Sequence, residues 1–225
     1  MASLVVACAL FAGIHFFISG TQLRHRLVAS LGERLYLGLF SLLSIAVLTW
    51  LIASYAAAPR LPLWETPTWL RAAAIVLMLP AVALVMIGLT TPSPTVTGGT
   101  GALDREDAAR GILRITRHPF LNGVALWAAL HLLVNGDAAS LVLFGGLLLL
   151  ALIGPSSIDG KRARAFGERW QRFAARTSAV PFAAIAAGRN QLRLDELGAW
   201  RVGLALIVYL ALFVFHGRLF GAPVW

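Results

Sequence analysis

Six apolar stretches divide this chain, most of them near the ~20 residues a helix needs to cross a bilayer. They are Ala2 to Ser19, Leu35 to Ala58, Thr68 to Thr90, Phe120 to Val134, Ala138 to Gly154 and Trp200 to Phe220. Lipid offers no hydrogen bonds, so a chain of this kind must close its own backbone bonds, and helices do so within one segment. The chain is 59% hydrophobic and 13% charged, whereas a soluble domain carries about 25% charge. The expected fold is all-α, a polytopic membrane helical bundle of about six transmembrane helices in a single domain over residues 1–225. No basic residue precedes the first stretch and no A-x-A pattern follows it, which predicts a retained helix rather than a signal peptide.

The basic residues test the count. Six spans put the connections after the first, third and fifth on one side, and these, with Arg201 at the boundary of the last span, hold all of the 19 Lys and Arg residues except Arg60, Arg71 and Arg218. By the positive-inside rule that side is the cytoplasm, both termini lie outside it, and the expected location is a bacterial inner membrane. The net charge of +9 is thereby explained without nucleic acid. The amphipathic cytoplasmic segment falls around 155–199. Within it Phe166, Trp170 and Phe173 lie close to one helical face, which predicts an interfacial helix over Lys161 to Arg176 on anionic membrane lipids. The alternative is a helix packed beneath the bundle beside Arg114 and Arg117.

The remaining connections are predicted from their turn chemistry. Gln22 to Arg34 is read as a polar loop, Pro59 to Pro67 as a short link, and Thr91 to Gly101 as a loop whose glycines form a linker. Asp104 to Arg117 is read as a charged helix and Asn135-Gly136-Asp137 as a tight turn. Trp64 and Trp69 suit interfacial anchors. Pro80 suits a kink. The lone cysteine, Cys8, excludes an intramolecular disulfide and acts as a small apolar side chain.

Chemistry concentrates in Arg114 to Asp137, RITRHPFLNGVALWAALHLLVNGD. At helical spacing Arg117, Phe120, Val124, Trp127 and His131 form a stripe, with His118 and Asn122 off it. An imidazole deep in an apolar span is costly without a partner and is a candidate functional group. His15 lies in the first span, on a face with Cys8, Phe11 and Ser19. Two imidazoles on separate helices of a bundle suit a metal or a haem iron. The plainer alternative is a hydrogen bond from each to a neighbouring helix, and spacing across helices carries no signature that separates the two. His131 lies about 20 Å along a helix begun at His118, so joint ligation with His15 needs tilt or a deeper helix start. His118 is read as interfacial, bonded to lipid phosphate or a loop carbonyl, His25 as solvated and His216 as structural. H-E-x-x-H, C-x-x-C, Walker and G-x-S-x-G patterns are absent.

The stretch from Arg114 to Asp137 resembles the NnrU family of bacterial membrane proteins and the related 15-cis-ζ-carotene isomerase family. Further support comes from Gly13-Ile14-His15, Leu31 to Ser41, Phe166-Gly167-Glu168-Arg169-Trp170, Thr177 to Ile185 and Gly188-Arg189-Asn190. The resemblance implies haem b on His15 and His131 and an apolar polyene as small-molecule substrate. Arg114 and Arg117 are then candidates for the haem propionates, because the planar guanidinium binds carboxylates bidentately. The isomerase family has a cysteine where this chain has Ala128. The NnrU resemblance also implies a non-enzymatic accessory or sensor role in nitrogen-oxide metabolism. Arg117-His118-Pro119 and the later Phe-Gly-x-x-Trp resemble isoprenylcysteine-type methyltransferases too. Those carry paired glutamates where this chain reads Asp159-Gly160-Lys161-Arg162.

Overall fold

Each apolar stretch forms a helix. The structure, a computed structural model, describes every residue except Thr97, Glu106, Pro223 and Trp225. Helix α1 (Ala2–Gly13) passes into a π-helical segment at Ile14–Ser19. Then come α2 (Gln22–Leu31), α3 (Glu33–Ala56), α4 (Thr68–Thr90), α5 (Ile112–Ile115), α6 (Pro119–Asn135), α7 (Ala138–Arg176), α8 (Ala183–Ala186) and α9 (Ala199–Phe220). The stretch Ala2–Ser19 and helices α3, α4, α7 and α9 are long and apolar enough to cross a membrane, and α6 is a shorter apolar helix. The protein is an all-α, multi-pass membrane protein with about six spans. Its exposed apolar side chains, such as Phe17, Leu42 and Val76, belong against lipid.

Three connections differ from expectation. Residues 22–31 are helical, because Thr21 accepts a hydrogen bond from the Leu23 N–H at the start and Gly32, at φ 79°, ends the helix. The charged helix expected over Asp104 to Arg117 reduces to the four residues of α5, entered through Gly111 at φ 59°. Glu106 of that stretch, and Thr97 of the loop before it, lie outside the described residues. The helix of the fifth span does not stop at Gly154. Helix α7 continues through Pro155 to Arg176 and leaves helical geometry only at Gly167, φ 49° and ψ −123°. A proline removes one backbone bond, and the helix resumes after it.

The chain gathers into two compact units, residues 1–67 with 131–150 and residues 68–130 with 151–225. In the first unit α1 packs on α3. Leu4 and Ala7 are buried on one helix and Val47 and Leu51 on the other. Without a hydrophobic drive in lipid, such pairs hold by close packing and interhelical hydrogen bonds. The Ser3 and Ser54 hydroxyls are 2.8 Å apart, and the Trp50 indole donates to Ser3. On α7 the Cys8 thiol donates to the Val142 carbonyl at 3.3 Å, and a Cβ at Gly146 would overlap Cys8 Sγ. The tight turn at Asn135-Gly136-Asp137 is clipped to the link before α4: Leu63 N–H donates to Gly136 O and Ala138 N–H to Leu61 O. Asp137 caps α7 through the Ser140 N–H at 3.0 Å. Trp64 donates its indole N–H to Leu133 O, so it is held by protein as well as placed near an interface.

In the second unit the backbone of α6 closes on α4. A Cβ at Gly123 would meet Ala81 O and Val85 N, each at 2.8 Å, and one at Gly88 would meet Phe120 N at 2.9 Å. Helix α9 joins α4 through Tyr209, whose hydroxyl donates to Ile75 O at 3.0 Å. The buried core gathers Ile87, Ile112, Leu113 and Ala205 with Trp170 and Phe173. The aromatic face expected against lipid therefore packs against protein. Gly167 turns the last part of α7, so Phe166, Trp170 and Phe173 do not ride one straight helix.

Candidate functional site

The histidines of the proposed haem site lie in the first unit. His15 stands in the π-helical segment, where the extra residue per turn re-aims side chains, a feature common at functional sites. Its Nδ1 lies 2.8 Å from the Phe11 carbonyl. A carbonyl only accepts, so Nδ1 carries the proton and the Nε2 lone pair faces away from that bond. The ring sits 4.6 Å from Phe11 and edge-on to Phe40 at 5.4 Å. His131 stacks on Phe144, with ring centroids 4.7 Å apart and planes inclined by 23°. Phe144 in turn stands edge-on to Tyr55.

Cys8 meets α7 at Val142 and Gly146, the level at which His131 rests on Phe144. His15 follows Cys8 by two turns, about 10 Å along the axis. The two imidazoles therefore stand at different levels of the first unit. With Nδ1 tied to a backbone carbonyl, His15 would present Nε2 to a metal or haem iron.

Arg114 and Arg117 belong to the second unit, and their donors are engaged. Arg114 forks onto Glu196, Nε to Oε2 at 2.7 Å and Nη2 to Oε1 at 2.9 Å. It also donates to Asn190 Oδ1 at 2.7 Å and Asp107 Oδ2 at 2.8 Å. The Glu196 carboxylate accepts the Gly111 N–H as well. The hydrogen bond from Arg114 is the main cause holding Glu196 below the ordinary glutamate range. Arg117 donates from Nε to Asp159 Oδ2 at 2.9 Å and from Nη1 to Thr177 O at 3.3 Å. It precedes α6, so it does not belong to the helical stripe that carries His131.

His118 is the largest departure from expectation. It is 2% exposed, and its Nε2 lies 2.7 Å from Asp159 Oδ1. Burial alone pushes the Asp159 carboxyl up, but hydrogen bonds from His118 and Arg117 outweigh it and hold the group below the usual carboxylate range. The ionised carboxylate only accepts, so His118 donates from Nε2. A histidine here bonds a protein carboxylate instead of lipid phosphate because the chain around it is closed. Thr116 Oγ1 donates to Ala179 O, Arg117 N–H to Ser178 O and Phe182 N–H to Ile115 O. Asn122 donates to Ala179 O and His118 O. Asp159, the acid in the stretch where the methyltransferase pattern has paired glutamates, is thus committed to Arg117 and His118. Among the described residues no group of three or more His, Cys, Asp or Glu is placed to hold a metal ion.

Fold and site together define a multi-pass helical membrane protein with a closed polar junction ahead of one of its apolar helices. The chain belongs to the NnrU family, whose model, described as NnrU protein, matches residues 3–224. It is similar to the chloroplastic 15-cis-zeta-carotene isomerases of Zea mays, 38% identical over 85 residues, and Arabidopsis thaliana, 39% identical over 85 residues. The matched stretch covers 38% of this chain and 23% of each of those proteins. The chain therefore aligns with less than a quarter of the length of the curated relatives. No solved structure matches.

Proposed function

We propose that this protein is a haem-carrying membrane isomerase that acts on an apolar polyene reached from the bilayer. The observation that carries the reading is the similarity to the two isomerases, supported by His15, whose Nδ1 is held by Phe11 O so that Nε2 would be open to a ligand role. His15 and His131 are the residues that would hold haem b. Bound haem supplies an iron centre able to polarise a polyene or exchange electrons with it. The chain contributes the rest: Phe11, Phe40 and Phe144 orient the imidazoles and line them with apolar surface that excludes water. Arg114 and Arg117 are left out of the cofactor site, since a propionate would have to displace Glu196 or Asp159. The proposed location is a bacterial inner membrane with both termini outside the cytoplasm.

The test is spectroscopic. Protein purified in mild detergent from haem-sufficient cells is expected to show a Soret band and a b-type pyridine haemochrome. His131→Ala removes or sharply weakens the band, and His15→Ala shifts it toward five-coordinate iron or abolishes it. A wild-type protein without haem under those conditions refutes the reading and leaves both histidines as structural hydrogen bonders.

A further inference from the structure

The second unit holds a basic cavity that the haem reading does not use. It measures about 330 Å³ and is lined by Arg114, Arg176, Arg189 and Arg193 with Gly188, Asn190 and Gln191. No carboxylate stands among these lining residues. The acids that face its arginines are Asp107 and Glu196 on Arg114, Asp107 on Arg176 and Asp195 on Arg193. Arg105 and Arg110 line a second cavity that shares Arg176 and also holds Asp107.

The arginines are set in place by the fold. Gly188, at φ 68°, ends α8 and lets Arg189 N–H return to Ala184 O at 2.9 Å. The Arg189 side chain then reaches back to cap the end of α7, donating from Nη1 to Ala175 O at 2.7 Å and Thr177 O at 3.1 Å. Asn190 Nδ2 covers a third carbonyl there, Arg176 O, at 2.7 Å. These bonds quench the negative end of the α7 dipole, which would otherwise repel an anion. Arg189 keeps Nε and Nη2, and Arg176 keeps Nε and Nη1, with no hydrogen-bond partner among the described residues. Ordering long side chains is a main cost of binding a small ion, and here much of it is met in folding.

We propose that this cavity is a binding site for a phosphate group, carried on an anionic lipid headgroup at the membrane surface or on a soluble ester. A lone carboxylate offers two coplanar oxygens and one charge, which a single guanidinium fork satisfies. A phosphate monoester offers three strong acceptor oxygens and close to two charges. That suits the open edges of Arg176 and Arg189, with the ion-paired guanidinium groups of Arg114 and Arg193 beside them. The site is independent of haem and of the isomerase reading.

The experiment uses the full chain in detergent and in bilayer nanodiscs, with constant ionic strength held by chloride. One arm titrates inorganic phosphate by calorimetry; the other compares nanodiscs of phosphatidylcholine with and without phosphatidic acid, reading retained lipid by native mass spectrometry. Wild type is expected to bind in at least one arm. Binding of inorganic phosphate alone identifies a soluble ester as the source, and enrichment of phosphatidic acid identifies a headgroup. Arg176→Gln with Arg189→Gln weakens binding by roughly tenfold or more, the scale of one lost charge-assisted contact. Arg169→Gln with Arg172→Gln removes the same charge from α7 outside the cavity and leaves binding unchanged. Should Arg189→Gln loosen the turn after α8, seen as a lowered unfolding midpoint, the single Arg176→Gln decides. Absence of binding in both arms, or an equal loss in the Arg169 and Arg172 variant, overturns the proposal.

Discussion

At the residue scale, charge pairing explains most of what holds the Arg114 to Pro119 junction. The chain has 10 acidic against 19 basic residues, and a buried guanidinium cannot stand unpaired. Asp159 meets a guanidinium and an imidazole at once, with side-chain exposures of 20% for the acid, 16% for Arg117 and 1% for His118. Removing its charge leaves the Arg117 guanidinium without its counterion and the His118 ring without its acceptor, so Asp159→Asn is expected to lower unfolding stability by about 3–5 kcal/mol, measured by denaturant titration in detergent. His118→Ala is expected to weaken the same junction while any haem spectrum stays intact; loss of the band from folded protein would move the iron to His118. The pH dependence follows from the acids. Glu196 and Asp159 titrate below their ordinary values of 4.5 and 3.8 in the folded protein. Groups of depressed pKa stabilise fully above the unfolded value and lose that contribution as pH falls through the folded one. Stability is thus expected to hold above about pH 5 and to decline below it, with a flatter acid limb in Glu196→Gln.

At the element scale, small residues decide how closely helices approach, and two adjacent glycines of α7 separate that effect from helix propensity. A Cβ at Gly145 meets nothing within 4 Å, whereas one at Gly146 overlaps Cys8 Sγ. Gly145→Ala is expected to be neutral or stabilising by up to about 1 kcal/mol. Gly146→Ala is expected to cost about 1–3 kcal/mol through overpacking, and Cys8→Ala in the same chain to restore it. Equal effects of the two alanines on thermal unfolding would show that α1 does not approach α7 at Cys8. This scale also marks what sequence could supply. The apolar stretches Ala2–Ser19 and Thr68–Thr90 coincide with helical segments because lipid leaves an apolar chain no other backbone solution. Past Gly154 that constraint lapses, and neither the run of α7 to Arg176 nor the helix at 22–31 follows from apolarity. The π turn at His15 leaves no periodic trace. Asp159 and Glu196 carried no signal either, because their partners Arg117 and Arg114 lie 42 and 82 residues away. An excess of arginine says that acids are needed without saying which. The aromatic trio around Trp170 was legible as a face, but its choice of protein over lipid depends on Gly167 and on a core drawn from α4, α5 and α9.

At the scale of the whole molecule, the proposed topology rests on the sidedness of the arginines. An even number of spans places residues 155–199 with the connections at 20–34 and 91–118, so that a single compartment receives nearly all the basic charge. Moving one boundary by a whole span would scatter that charge across both faces, against the bias that orients membrane helices during insertion. The polar junction adds an independent requirement. Arg114 pairs with Glu196, and Arg117 with Asp159, so the segments before α6, around 159 and before α9 must share one side of the membrane. A two-state reporter fused after Arg189 is therefore expected to be active in its cytoplasmic form only, and one fused after Asn135 in its external form only. Charge reversal offers a sharper version. Arg117→Asp with Asp159→Arg keeps the local charge count and the proposed sidedness, so the reporters should read as before while stability partly recovers over either single change. External activity after Arg189 in the unmodified chain would refute the proposed six-span topology.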